Sequence, residues 1–276
     1  MIVDLIRRAL AEDIGTGDKT TNSCVEAGRK AAGTFNAKQD LVVAGVELIA
    51  LVYQVSQEFG CAPVERVEAL VTSGAQLHAG EVLAIVEGPA RTLLTCERTA
   101  LNLVQRMSGV ATMGRRFVDA AAGTKTKILD TRKTTPGLRE IEKMASAAGG
   151  VRNHRMGLFD AILIKNNHIA AAGGVTQAMQ RARHAGLPVE VEVRTWDEME
   201  EALSAGAVHL LLDNLTPSQA RQWVAHIAGR ATTELSGNMR LETVRAYAEA
   251  GADYISVGAI THSAVAVDIN FRLNLC

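Results

Sequence analysis

The chain has 276 residues, enough for two domains or for one barrel with an appended layer. It is 47% hydrophobic but only 4% aromatic, so its core has to be built mostly from Ala, Val, Leu and Ile. A net charge of −1 excludes a uniformly basic nucleic-acid binder, and no apolar run approaches membrane-spanning length.

Residues 2–11 are amphipathic and predict a helix, without the apolar run of a signal peptide. Residues 12–18, Glu-Asp-Ile-Gly-Thr-Gly-Asp, read as an acidic, turn-rich loop. Strands are predicted over 33–37 and 41–43, a helix over 46–59, and a hairpin-like strand pair over 64–70 and 81–86. That pair has the outline of a biotinyl or lipoyl carrier. No lysine lies between Lys38 and Lys125 to carry the group, so a packing layer is the better reading. Residues 92–122 predict a long helix interrupted at Ser108-Gly109. The four cysteines, Cys24, Cys61, Cys96 and Cys276, show no metal-ligand or redox spacing and fit a reduced, cytoplasmic protein.

From Lys127 a βα alternation begins. Short apolar or β-branched runs at 127–130, 161–164, 189–193, 208–212, 232–235 and 254–257 predict strands. Helices are predicted over 138–148, 175–185, 197–205, 217–228 and 241–250, with Thr195 and Thr216 placed to cap two of them. Six legible strands predict an α/β fold: an incomplete, about six-stranded TIM-like barrel behind an N-terminal α+β layer. Polar residues fall at the carboxyl ends of these strands: Thr131-Arg132-Lys133-Thr134, Lys165, Glu190 and Glu192, Asp213, Ser236-Gly237 and Gly258. In a parallel α/β barrel that end is where active sites are built. Between Arg98 and Arg155 there are twelve Lys and Arg against four Asp and Glu, with Phe117 as the one aromatic. Cations in short loops without stacking platforms suit a small phosphate or carboxylate ligand better than nucleic acid. The turns Ser236-Gly237-Asn238 and Val257-Gly258-Ala259 offer backbone amides for a phosphate, with His262 close by.

Several runs go further. They are residues 12–21 (EDIGTGDKTT), 97–102 (ERTALN), 128–137 (ILDTRKTTPG), 153–158 (NHRMGL), 163–168 (LIKNNH), 212–214 (LDN) and 256–262 (SVGAITH). Together, and in this order, they resemble quinolinate phosphoribosyltransferase, the carboxylating nicotinate-nucleotide pyrophosphorylase family, along nearly the whole chain. The resemblance implies an N-terminal α+β open-sandwich domain of residues 1–105, joined by the tail at about 265–276. It implies a phosphoribosyltransferase barrel over 106–264. It also implies condensation of quinolinate with phosphoribosyl pyrophosphate, releasing carbon dioxide and pyrophosphate and leaving nicotinate mononucleotide for NAD synthesis. Thr131, Arg132, Lys133, His154 and Arg155 would then line the quinolinate pocket, and Arg98 would be offered across a homodimer interface. Lys133 and Lys165 suit the departing pyrophosphate. Glu192 and Asp213 suit Mg2+ and face the ribose cation. Ser236, Gly237, Asn238, Val257, Gly258, Ala259 and His262 would form the 5-phosphate site.

Three positions depart from the family pattern: Arg194 and Asn166 stand where an acid is usual, and Asn238 where glycine is frequent. Arg194 lies two residues beyond Glu192 and bears on magnesium affinity. Competing readings are a sister phosphoribosyltransferase of the molybdenum-operon type, a Schiff-base aldolase using Lys165, and a phosphometabolite-binding module without turnover. Nucleic acid and membrane are not expected partners.

Overall fold

The computed structural model describes residues 2–275. They divide into two units, the first made of residues up to Arg115, residues 135–150 and residues from Ala264 onward, the second of residues 116–134 and 151–263. The domain limit expected after residue 105 thus falls inside a continuous helix, and residues 135–150, expected with the barrel, group with the first unit.

In the first unit, β1 (Lys30–Ala37) lies between β12 (Ile269–Leu275) and β5 (Val82–Pro89), and β3 (Arg66–Ala69) adds to β5. All three pairings are antiparallel. The predicted hairpin-like pair is therefore present as β3 and β5, with Val67 opposite Val86. Alternation along β1 buries Ala31, Gly33, Phe35 and Ala37 on one face. Gly33 is required there: a Cβ would stand 2.0 Å from the ring of Phe271, which meets Phe35 edge-on at 4.9 Å. The helices are α1 (Ile2–Ile14), α2 (Lys19–Cys24), α3 (Leu48–Val55) and α5 (Arg139–Ala148), with β2 (Leu41–Val42) paired to β4 (Gln76–Leu77).

Two expectations change here. The loop foreseen at 12–18 begins one turn later, because α1 runs through Ile14. Asp18 then caps α2, accepting the Thr21 N–H at 2.9 Å. The break foreseen at Ser108-Gly109 does not occur, since α4 (Ala90–Ala120) is continuous. Gly109 serves packing rather than interruption: a Cβ there would sit 2.2 Å from the Val265 carbonyl oxygen. Ser108 joins it by accepting the Ala44 N–H at 3.0 Å.

The second unit is one parallel sheet in the order β6 (Lys127–Leu129), β11 (Tyr254–Ser256), β10 (Thr232–Ser236), β9 (His209–Asp213), β8 (Val189–Val193), β7 (Ile162–Ile164). All six predicted strands are there. Its helices are α6 (Asn166–Ala172), α7 (Val175–Arg183), α8 (Trp196–Ser204), α9 (Pro217–Ile227), α10 (Leu241–Ala248) and α11 (Ala259–His262). Thr195 and Thr216 cap α8 and α9 in reciprocal boxes with Glu198 and Gln219. The two edges, β6 and β7, do not pair; a single bridge from Leu129 to Arg152 covers the β6 side. The barrel is thus incomplete, as expected. The period of two places Glu190 with Glu192, Leu211 with Asp213, and Glu234 with Ser236 on common faces. Among the described residues no helix is long and apolar enough to cross a membrane.

Candidate active site

The loop after β6 is shaped by its own hydroxyls. Thr131 Oγ accepts the Lys133 N–H at 3.0 Å, and Thr261 donates to the Lys133 carbonyl at 2.8 Å. Fully buried Asp130 accepts the His154 N–H at 2.8 Å, which ties the segment carrying His154 and Arg155 to the end of β6. Asp160 rounds off that segment, taking the N–H groups of Met156 and Gly157 at 2.6 and 2.9 Å; these bonds hold its carboxyl below the usual carboxylate range. Nothing about the strand pattern alone marks Asp130 or Asp160, yet both are needed to aim their neighbours.

Thr131, Arg132, Lys133, His154, Arg155 and Lys165 then line one pocket of about 310 Å3, floored by Leu163, Leu211 and Glu234. Arg155 donates to the Ala161 carbonyl at 2.9 Å. Burial and the nearby Arg132 cation both push the Arg155 guanidinium below its ordinary value. Two guanidiniums held close together favour an anionic guest with carboxylates to grip.

A second cavity of about 230 Å3 shares Thr131, Lys133, Ser236 and Ser256 with the first. It is completed by Gly237, Asn238, Met239, Arg240, Gly258, Ala259 and His262. Gly237 has φ +111° and packs so tightly that a Cβ would meet Asn214 Oδ1 at 2.3 Å. Asn238 also takes a left-handed φ of 45°, a conformation asparagine tolerates, which accounts for its standing where glycine is frequent. Arg240, the residue just before α10, is not marked by the sequence pattern; its place two residues past Asn238 is the available signal. Val257 lies elsewhere: it is buried in the core, and its N–H donates to the Leu129 carbonyl at 2.9 Å. Arg98 stands exposed on α4 in the first unit and is not among the side chains lining these pockets.

Glu192 and Asp213 line neither pocket. Glu192, only 4% exposed, accepts from Lys165 Nζ at 2.6 Å. One guanidinium links the two acids: Arg194 reaches Glu192 Oε1 through a terminal nitrogen at 3.1 Å and Asp213 Oδ2 through Nε at 3.3 Å. The residue noted as a departure thus occupies the space between the two expected metal carboxylates.

Beneath the first pocket lies a cluster that the strand pattern only half revealed. His154 Nδ1 accepts the Arg155 N–H at 2.7 Å, which puts the ring proton on Nε2. Nε2 lies 3.2 Å from Glu190 and 3.5 Å from Glu234. Burial, reinforced by the Glu190 charge, pushes the Glu234 carboxyl up to about 8. An acid in mid-strand between Thr233 and Leu235 was the overlooked sign.

Comparison with known proteins agrees with this arrangement. Residues 18–108 match the N-terminal domain of quinolinate phosphoribosyl transferase, and residues 110–272 match its C-terminal domain. A nicotinate-nucleotide pyrophosphorylase (carboxylating) of Mycobacterium leprae is 45% identical over 98% of this chain and 96% of its own. A probable nicotinate-nucleotide pyrophosphorylase (carboxylating) of Bacillus subtilis is 40% identical, covering 98% and 93%. The crystal structure of NadC from Streptococcus pyogenes superposes with a TM-score of 0.93 at 37% identity, covering 99% of this chain and 96% of that one. With both domains matched in order and the barrel-mouth cations in place, the chain belongs to the quinolinate phosphoribosyl transferase family.

Proposed function

We propose that the chain transfers the phosphoribosyl group of phosphoribosyl pyrophosphate to the ring nitrogen of quinolinate, with loss of carbon dioxide and pyrophosphate, to give nicotinate mononucleotide. The observation that carries this is the pair of joined cavities, one gripped by Arg132 and Arg155, the other built from the Gly237 and Gly258 turns, with Thr131 and Lys133 in both. A pyridine dicarboxylate fits the forked cations, and a sugar phosphate fits the turn amides and Arg240. Lys133, common to both, lies where charge develops on the leaving pyrophosphate. Asp213 and Glu192, once released by Arg194, would supply the negative field for the oxocarbenium character of the ribose. An aldolase would need the Lys165 amine free to attack a carbonyl, whereas that nitrogen is engaged by Glu192 at 2.6 Å. Release of labelled carbon dioxide from quinolinate only in the presence of phosphoribosyl pyrophosphate tests the reading; equal use of nicotinate would refute it.

Magnesium belongs to the same proposal. Glu192 and Asp213 are hard oxygen donors already joined through a single cation, so they fit a divalent ion that displaces Arg194. Bound there, magnesium would neutralise pyrophosphate oxygens. Asp213→Asn is expected to weaken magnesium dependence and slow turnover while leaving quinolinate affinity largely intact. Loss of quinolinate affinity with unchanged magnesium dependence would overturn that assignment.

A homodimer is the remaining part. Leu158 and Phe159, in the segment following Arg155, are 72% and 74% exposed, which suits burial by a partner. Arg98 of one subunit would then complete the other's pocket. Mixing Arg98→Ala with Lys165→Ala protein should restore some activity through hybrid dimers; subunit exchange without restored activity would exclude a shared site.

A further inference from the structure

Quinolinate becomes nicotinate mononucleotide only if C2 of the ring receives a proton in place of its carboxylate. This requirement rests on the activity proposed above, and the pocket has to meet it. Arg132 and Arg155 are guanidiniums and do not act as acids near neutral pH. Lys165 is bound to Glu192, and Lys133, which lines both cavities, is assigned to the leaving pyrophosphate. His154 lines the pocket, but its Nδ1 is an acceptor and its Nε2–H is directed at Glu190. Glu234 remains. It floors the pocket, is 4% exposed, and its Oε1 is buried without a hydrogen-bond partner.

His154, Glu190 and Glu234 also offer three ligand atoms within 4.8 Å of one another, the outline of a metal site. The tautomer argues against it. A ring whose Nδ1 accepts a backbone N–H carries its proton on Nε2, the very atom a metal would need. A cluster holding a proton, not a metal, is the consistent account.

We propose that Glu234 is the acid that protonates C2 when the carboxylate leaves. Once the ring nitrogen carries the ribose, the C2–carboxyl bond breaks and its electron pair remains on C2, stabilised by the adjacent positive nitrogen. Carbon dioxide departs, the proton on Glu234 moves to C2, and Glu234 is left ionised until solvent water returns a proton.

The surroundings suit this cycle. Glu190 faces Glu234 from β8, His154 from the segment after the Arg152 bridge, Lys165 from the end of β7 and the Ser256 hydroxyl from β11, with Arg132 and Arg155 lining the same pocket. Burial and Glu190 favour the protonated acid; His154, Ser256 and Lys165 oppose them, leaving it near 8 and so protonated at neutral pH. A further cavity of about 360 Å3, with Arg152, His209, Thr232 and Tyr254 on its wall, shares only His154 and Glu234 with the substrate pocket. It gives Glu234 a side from which its proton can be restored while the substrate side stays occupied.

The test is the pH dependence of kcat with saturating substrates, together with quinolinate affinity by calorimetry. Glu234→Gln is expected to lose about a hundredfold in kcat, the usual scale for general acid catalysis, with little change in quinolinate Kd. The alkaline fall in kcat, centred near pH 8 in the unmodified protein, should vanish with it. Glu190→Gln provides a second arm that leaves the acid itself in place. Removing the neighbouring negative charge makes Glu234 easier to ionise, so the alkaline limb should move to lower pH. A Glu234→Gln protein with undiminished kcat, or one whose lost rate is matched by lost affinity, overturns the proposal. So does an unmoved limb in Glu190→Gln, which decides the matter if Glu234→Gln does not fold. Failure of the unmodified protein to release carbon dioxide from quinolinate would instead overturn the activity itself.

Discussion

Replacing Arg194 by alanine should tighten magnesium binding, the reverse of what loss of an active-site residue usually does. Lys165 and Arg194 balance Glu192 and Asp213, so the cluster is locally neutral; without Arg194 it carries one net negative charge. An incoming magnesium ion has to displace the guanidinium from both carboxylates. The Arg194 side chain is 46% exposed, so solvent screens its contacts, although Glu192 and Asp213 are only 4% and 11% exposed. Roughly 0.5–1 kcal/mol for each contact is the appropriate scale. Together they amount to about 1–2 kcal/mol, or about 5- to 30-fold in magnesium Kd. Titration of magnesium chloride into the unmodified protein and into Arg194→Ala, without substrates, reads this directly. Raising the ionic strength should shrink the difference. An Arg194→Ala protein that binds magnesium no more tightly would show that the guanidinium leaves the carboxylates at no cost, and the competition argument would fail.

Arg132→Lys keeps the charge but loses the fork, and should cost roughly 1.5–3 kcal/mol, about ten- to a hundredfold in kcat/KM for quinolinate. Affinity for phosphoribosyl pyrophosphate should hardly change; equal weakening of both would remove Arg132 from the acid pocket. Gly237→Ala places a Cβ against Asn214 at a φ of +111° and should cut phosphoribosyl pyrophosphate affinity by more than about tenfold, measured beside an unchanged quinolinate Kd. For Asp18, burial raises the carboxyl, but hydrogen bonds from Thr21, Thr95 and Thr20 outweigh it and hold it below its ordinary 3.8. Its stabilising contribution is therefore full above that value and lost as pH falls through the folded-state value. Asp18→Ala should cost about 1 kcal/mol at pH 7, about 2–4 °C in Tm; the deficit should begin to shrink only below 3.8 and close below the folded-state value, and a deficit independent of pH would contradict the cap.

The second unit was legible in the chain because its strands are short apolar runs closed by polar residues, a pattern that needs no tertiary information. Lys165, Asp213 and Ser236 could be placed at the barrel mouth on that ground alone. Glu234 could not. Its neighbours in sequence give it a strand environment, but its importance comes from Glu190 and His154, brought near by β8 and by the segment after Arg152. The break foreseen at Gly109 failed for a related reason. Glycine is as useful for letting a carbonyl approach as for ending a helix, and only the position of Val265 shows which applies. Arg194 was recognised as unusual in sequence, but its bridging of two acids depends on where β9 lies beside β8.

The strand orders also set a schedule for folding. Strands β7 to β11 pair in the order in which they are made, each with its immediate successor, whereas β6, made first, has β11 as its sheet neighbour. In the first unit β1 likewise takes β12, the last strand described, as one of its two partners. Both pairings close long loops, so both wait for chain made long after the strands they complete. A nascent chain short of residue 254 would possess its carboxylate cluster yet have no sheet partner for the strand that leads into Arg132 and Lys133. Anion capture is thus expected only after residues 254–256 have been made, and a chain cut at residue 253 should bind neither substrate.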